Sequence, residues 1–381
     1  MKKLVSGLLA VTGLALLAAF VGAAKAPSAI RAGVDCSQTA TIAYFGPTTG
    51  PVASIGAELR GFSLLYAQQW NAAGKKPTMK VNEGDTKFDP AVTSTVAQRF
   101  ASDSNVIGVI GPGASQEVLA AGPIFKKAGM PYVAASATRT TLTNGTLRTF
   151  LRIAAPDKIQ AVSTASFIKS KLHAKSVLAV DDQSAYGKPL ADQVAKLLKA
   201  QGVKVKRASV TQKTSDFSSV ITSMSGDTGV VYLAMQLPDK MTLFGNQLKE
   251  QGKNVKVFLS DAGGSGVKLP GAYFSTFGPD VTHYPPAQSV LKAYHQRYGS
   301  KAPVTAFGPL AYVSGQVVVD AVARACKDGT ATRAEVLKEL HKTNLKKSIF
   351  GDPVRFDAHG DRIGAHFFQF QITKKGPVPV N

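Results

Sequence analysis

Residues 106–143 read VIGVIGPGASQEVLAAGPIFKKAGMPYVAASATRTTLT. The run Val106–Ile110 holds only aliphatic residues and glycine, the pattern of a strand buried on both faces. Gly111-Pro112-Gly113 then turns the chain, and Ala114, Ser115 and Gln116 open a helix. Pro131–Ala135 reads as a second strand, ending in a cluster of hydroxyls: Ser136, Thr138, Thr140 and Thr141. Two strand ends bearing hydroxyls and backbone N–H groups therefore stand one βαβ unit apart. In an open parallel sheet, ligands bind where strand carboxyl ends meet helix amino ends. The stretch is expected to form half of a small-molecule pocket.

The same alternation extends to both sides. Thr39–Phe45 reads as a first strand, 54–70 as a helix, Lys80–Glu83 as a strand, and Asp89-Pro90 as an N-cap with proline in the first helical position of a helix running to about Ser102. This β-α-β-α order implies a parallel sheet covered on both faces. The pattern breaks near 150–157, after a strand at Thr149–Ala154, and then repeats. Strands are expected at Ser176–Val180, Val203–Ala208, Gly229–Leu233, Val255–Leu259 and Ala272–Phe277. Helices are expected over Pro189–Gln201, from Asp216-Phe217 to Met224, and over Asp239–Gln251. Later helices are expected over Pro285–Tyr298, Pro309–Cys326 and Arg333–Thr343. Last come Phe350–Asp357, a turn at His359-Gly360-Asp361, and a closing strand Ala365–Ile372 antiparallel to the segment before the turn. The fold class is α/β: two similar, doubly wound Rossmann-like lobes.

A chain of 381 residues suits two domains. Residues 1–26 stand apart: Lys2 and Lys3 precede an apolar run, Leu4–Val21, that exits through Gly22-Ala23-Ala24, the form of a secretory signal peptide. No cysteine directly follows the apolar run, so a lipid anchor is not indicated. The formal net charge is +21. Without Lys2, Lys3 and Lys25 it is about +18, carried by dispersed lysines with no basic run and no interleaved aromatics, which argues against nucleic acid. In an exported chain the pair Cys36 and Cys326 is a disulfide candidate, the alternative being two buried thiols.

No catalytic constellation is present. Gly263-Gly264-Ser265-Gly266 has Val267 where a nucleophile elbow needs glycine, no phosphate-binding loop occurs, and the six histidines show no metal-ligand spacing. An enzyme, a cofactor and a bound metal are not expected.

Seven stretches in order carry a family likeness: GPTTGPVASIGAELRGF at 46–62, DTKFDP at 85–90, VIGVIGPGAS at 106–115, SATRTTLT at 136–143, DQSAYG at 182–187, SDFSSVI at 215–221 and FDAHGD at 356–361. Together they resemble the type I periplasmic solute-binding proteins of branched-chain amino acid (leucine/isoleucine/valine) uptake systems. That resemblance implies two lobes joined by a three-crossing hinge, with lobe one at 37–153 plus 284–348 and lobe two at 154–283 plus 349–381. It implies a monomer that closes on an amino-acid-like solute and delivers it to a membrane ABC permease with its ATPase. A ligand-sensing partner of a receptor or regulator is the alternative use of the same fold.

The resemblance also implies roles by residue. Ser115 matches a carboxylate-binding serine at a helix start. Ser136 and Thr138 match the pair that holds an amino-acid head group. Tyr186 matches a cleft-wall aromatic, and Asp261 stands at or beside the acid that meets the ligand amine. Two positions depart from the aliphatic binders: Ile55 replaces an aromatic, and Met235-Gln236-Leu237 replaces aromatics after a strand. Ile55 and Gln236 are therefore candidates for the residues that choose the ligand, with an amide, urea or aromatic acid as well as an amino acid in view.

Overall fold

The computed structural model describes residues 33–380; the signal-peptide segment 1–26 lies outside the described residues. The chain opens with β1 (Val34–Asp35), β2 (Thr39–Gly46), α1 (Ala53–Ala72), β3 (Thr78–Asp85), α2 (Pro90–Ser102), β4 (Val106–Ile110), α3 (Ser115–Ala128), β5 (Tyr132–Ala134) and β6 (Phe150–Arg152). It continues with α4 (Asp157–Ser170), β7 (Ser176–Asp181), α5 (Gly187–Ala200), β8 (Lys204–Ser209), α6 (Ser218–Thr222), β9 (Val230–Ala234), α7 (Pro238–Glu250), β10 (Lys256–Leu259) and β11 (Tyr273–Thr276). Then follow α8 (Gln288–Tyr298), α9 (Phe307–Ala325), β12 (Thr330–Ala331), α10 (Arg333–His341), β13 (Phe368–Thr373) and β14 (Gly376–Pro379).

Local chemistry sets several of these boundaries. Asp89 Oδ1 accepts from the N–H groups of Ala91 and Val92 at 2.7 and 3.2 Å, and Pro90 follows at the first helical position. At α10, Thr332 Oγ1 accepts from Glu335 N–H while Glu335 Oε2 accepts from Thr332 N–H, a reciprocal cap. Gly111 has φ +101, and an added Cβ would stand 2.1 Å from the Phe45 carbonyl oxygen, so only glycine lets β4 turn this closely past β2.

Two sheets organise the molecule. The first is fully parallel in the order β3-β2-β4-β5-β6. The second has the order β14-β13-β11-β10-β9-β7-β8, parallel from β8 to β11. Both parallel stretches use one winding: the sheet's second strand lies outside its first, and the third, fourth and fifth follow on the other side. The repeated β-α alternation of the sequence is thus a repeated topology. Cores lie on both faces of each sheet. Beside the first sheet they include Phe62, Leu310 and Val318 on one face and Phe45, Phe125 and Tyr132 on the other. Beside the second they include Phe217 and Phe244 on one face and Leu190 and Val194 on the other. The chain passes between the two layers three times: after β6, after β11 and before β13.

The C-terminal reading needs correction. Residues 350–357 form no strand, and only an isolated bridge joins Phe356 and Arg362. The closing strand pairs antiparallel with β11 and, through a turn at Lys374-Lys375, with β14. The reason is tertiary. Segment 356–362 docks on β6: Arg152 N–H donates to the Gly360 carbonyl at 2.9 Å, and Arg362 Nε donates to the Ile153 carbonyl at 2.8 Å. A segment whose hydrogen bonds serve another element is not free to pair in a hairpin. Cys36 and Cys326 form a disulfide, with Cα atoms 5.8 Å apart, that ties the start of the first sheet to the end of α9.

Candidate functional site

In doubly wound sheets the crevice at the reversal of strand order is where ligands bind. Here the carboxyl ends of β2, β4 and β5 face those of β7, β9 and β10 across a cavity of about 60 Å³. Ile55, Ser115 and Ser136 line it from the first-sheet side, and Tyr186, Gln236 and Asp261 from the second. Thr138 is not among the lining residues: it is buried, and its carbonyl accepts from Asp157 N–H at 2.7 Å. Its position is behind the wall, where it supports the start of α4.

Ser115 is the first residue of α3, and Ala114 is its N-cap. Its hydroxyl is therefore not spent on capping the helix. Instead Ser115 Oγ accepts from Arg139 N–H at 3.1 Å, which leaves its own proton to donate at the positive end of the helix. The N-cap N–H is satisfied from another direction, donating to Glu117 Oε2 at 2.9 Å. Glu117 is fully buried, and burial pushes its carboxyl up to about 7. Ser136 Oγ donates to the Gly113 carbonyl at 2.9 Å, which leaves its lone pairs as acceptors. The two serines thus offer opposite polarity, a donor at Ser115 and an acceptor at Ser136. Ile55 comes close because Gly56 lets α1 approach the turn: a Cβ there would stand 1.7 Å from the Pro47 carbonyl oxygen.

On the opposite wall, Asp261 is 6% exposed and its Oδ2 is buried without a hydrogen-bond partner. Its N–H lies 3.4 Å from Tyr186 Oη. Burial pushes its carboxyl up to about 8, reinforced by the nearby charge of Asp157. Asp157 is itself raised to about 7 by burial, opposed by the Thr138 hydroxyl and the Arg152 and Arg139 charges. Its Oδ2 is likewise buried and unpartnered. Gln160 joins the two acids: its amide is satisfied when its nitrogen donates to Asp157 Oδ1 and its oxygen accepts from Asp261 N–H, both at 3.2 Å. Gln236 is fixed from behind, its N–H donating to Asp182 Oδ2 at 2.9 Å and its Oε1 accepting from Gln212 at 2.9 Å. Of these groups Asp261 and Gln236 line the cavity, and they offer it a carboxyl and a side-chain amide.

Several lining or supporting residues escape the sequence reading. Phe88 lies in the 85–90 turn with φ +61, and Phe307 begins α9; both line the cavity and supply aromatic surface that Ile55 does not. A positive φ at phenylalanine leaves no sequence signal. Asp157 is legible only as a helix start, and Gln160 only as a helix residue, because their partners come from β5 and β10 loops. Arg139 closes the rim, with Nη1 donating to the Ala185 carbonyl at 2.6 Å, a bond from the first-sheet side to the second. Among the described residues no cluster of three or more His, Cys, Asp or Glu could hold a metal, and no helix is long and apolar enough to cross a membrane.

Two doubly wound sheets with converging strand ends, three chain crossings and a mainly apolar cavity that bears a few polar groups define the type I solute-binding architecture. The family model described as periplasmic binding protein matches residues 39–377, and the chain belongs to that family. The family consists of solute-binding proteins rather than enzymes. A relative from Pseudomonas aeruginosa, named amino acid binding protein, is 28% identical over 88% of this chain and 90% of its own length. A Leu/Ile/Val-binding protein homolog from Brucella melitensis is 26% identical over 94% of this chain and 93% of its own. The crystal structure of a leucine binding protein, LivK, from Thermotoga maritima superposes with a TM-score of 0.80 at 23% identity, covering 90% of this chain and 98% of that one.

Proposed function

We propose that this chain captures a small amino-acid-like solute outside the cytoplasm and hands it to an ABC permease with its ATPase. The observation that carries this reading is the polarity of the cavity: the Ser115 hydroxyl and the α3 amino end on one side, and the buried Asp261 carboxylate on the other. A carboxylate sits at the first and an ammonium between Ser136 Oγ and Asp261. Relatives named for binding amino acids support the solute class. In this reading lobe one is 37–153 plus 284–348 and lobe two is 154–283 plus 349–381, the protein works as an exported monomer, and closure of the lobes signals occupancy to the permease.

Titration calorimetry of the mature protein against the amino acids tests it. Ser115→Ala removes a hydrogen bond to a charged group, worth about 1.5–3 kcal/mol, and should weaken binding about tenfold or more. Asp261→Asn should weaken amines while sparing carboxylates that lack one. If no amino acid or related carboxylate binds, or if both variants bind as the parent does, the assignment is wrong.

A further inference from the structure

Three neighbouring strands of the second sheet, in the order β9-β7-β8, are followed closely by Gln236, Asp182 and Gln212, and these residues form one hydrogen-bonded chain. Asp182 is 4% exposed, and its carboxyl takes four donors. Ser184 donates its N–H and its hydroxyl to Oδ1, while Gln236 N–H and Gln212 Nε2 donate to Oδ2. A carboxyl so placed only accepts, so Gln212 has to turn its amide nitrogen toward it. The same nitrogen donates to Gln236 Oε1 at 2.9 Å. The Gln236 amide is thereby held with its oxygen spent and its nitrogen free. Among the described residues Gln236 Nε2 has no partner, yet it is not sealed off: the residue is 9% exposed and lines the cavity.

The other polar side chains of the lining are accounted for. Ser115, Ser136 and Asp261 serve the head group in the proposed function, and Tyr186 Oη stands 3.4 Å from the Asp261 nitrogen and 3.4 Å from the Gln160 amide. Apart from these and Gln236 the lining side chains are apolar, Ile55, Leu59, Phe88 and Phe307 among them. We infer that Asp182 and Gln212 are positioning residues that hold Gln236 as an N–H donor to the solute's side chain, so that the protein selects an amino acid whose side chain bears an acceptor oxygen over an aliphatic one of similar size. The inference rests on the proposed function, which places the carboxylate at Ser115 on the opposite wall and the ammonium at Asp261, and so leaves Gln236 to the side chain. An aliphatic side chain strips water from the Gln236 N–H groups and gives them no partner, a cost that separates two ligands by about tenfold or more.

The test is calorimetry of the parent against the amino acids, read as affinity ratios in three pairs of similar size: threonine over valine, asparagine over leucine and glutamine over methionine. At least one ratio should reach about tenfold in the parent. Gln236→Leu should bring that ratio to one or below. Gln212→Leu should lower it at least threefold, whereas Gln212→Lys, which still offers N–H donors to Asp182 and Gln236, should keep it. A purely structural Gln212 would instead weaken both members of a pair together. The two leucine variants alter different strand ends, so one remains informative if the other fails to fold. Ratios near one in the parent, or binding confined to amino acids without a side-chain acceptor oxygen, overturn the inference and leave the solute-binding reading standing. An undiminished ratio in a folded Gln236→Leu or Gln212→Leu protein does the same. If no amino acid binds the parent, both fail together.

Discussion

Replacing Asp361 by alanine should destabilise the protein strongly, although Asp361 belongs to a loop far along the chain from the site. The Arg152 side chain is fully buried, and its Nε donates to Asp361 Oδ1 at 2.6 Å. Its Nη1 donates to the Ala137 and Arg139 carbonyls at 3.2 and 2.8 Å, and its Nη2 to Thr143 Oγ1 at 2.7 Å. Alanine at 361 leaves those three bonds but strands a buried cation, a loss of about 3–5 kcal/mol. Asp361 is 13% exposed, so water can enter and the lower end of that range applies. A urea transition at neutral pH measures it. Because Arg152 holds the carbonyls of residues 137 and 139, the loop carrying Ser136 and the Arg139 N–H bond to Ser115 should also loosen, and solute affinity should fall several-fold. Arg152→Met with Asp361→Leu should recover part of the stability, since no lone charge remains, but not the affinity. A loss below about 1 kcal/mol for Asp361→Ala would refute the argument that this pair is a buried strut. Unchanged affinity in a clearly destabilised variant would refute its role in positioning the loop.

Other outcomes can be checked alongside. Burial raises Glu58 and Glu117 to about 7 from an ordinary 4.5, and Asp157 and Asp261 to about 7 and about 8 from 3.8. Their contribution to stability is fully present below those ordinary values and is lost as pH rises through about 7 to about 8, so the melting temperature should fall between pH 5.5 and 8.5; a rise over that window contradicts it. An ammonium binding to Asp261 needs its ionised form, so amine binding near pH 7 should release a proton, seen as a binding enthalpy that depends on the buffer's ionisation heat. Arg139→Ala removes the bond to Ala185 across the rim and should speed solute release about three- to tenfold in stopped-flow measurements, with little change in the urea midpoint. Reducing the Cys36–Cys326 disulfide, which spans 290 residues, should cost about 2–5 kcal/mol in the same urea assay while leaving affinity close to the parent's.

The fold was legible where a local rule binds. The apolar strands, the Asp89-Pro90 cap and the glycine turn at 111 each rest on a few adjacent residues, and the repeated alternation of strand and helix sets the fold class without long-range contacts. The C-terminal segment departs from its local pattern for the same reason. Alternation and a tight turn suggest a strand pair, but residues 356–362 serve β6 through Arg152 and Arg362, partners more than 190 positions away.

By itself the sequence marked the hydroxyls of Ser115 and Ser136 and the carboxyl of Asp261, because strand ends are set by position along a β-α unit; Tyr186 and Gln236 stood out only through the family resemblance. All five residues line the cavity. Only tertiary structure decided that Thr138 stands behind the wall, that Phe88 and Phe307 supply the aromatic surface, and that Asp261 borders both the small cavity and a larger one. The physical reason is the separation of partners. A strand end is a local feature, whereas a cavity's volume and its unpaired atoms come from segments that meet only when both sheets and all three crossings are in place.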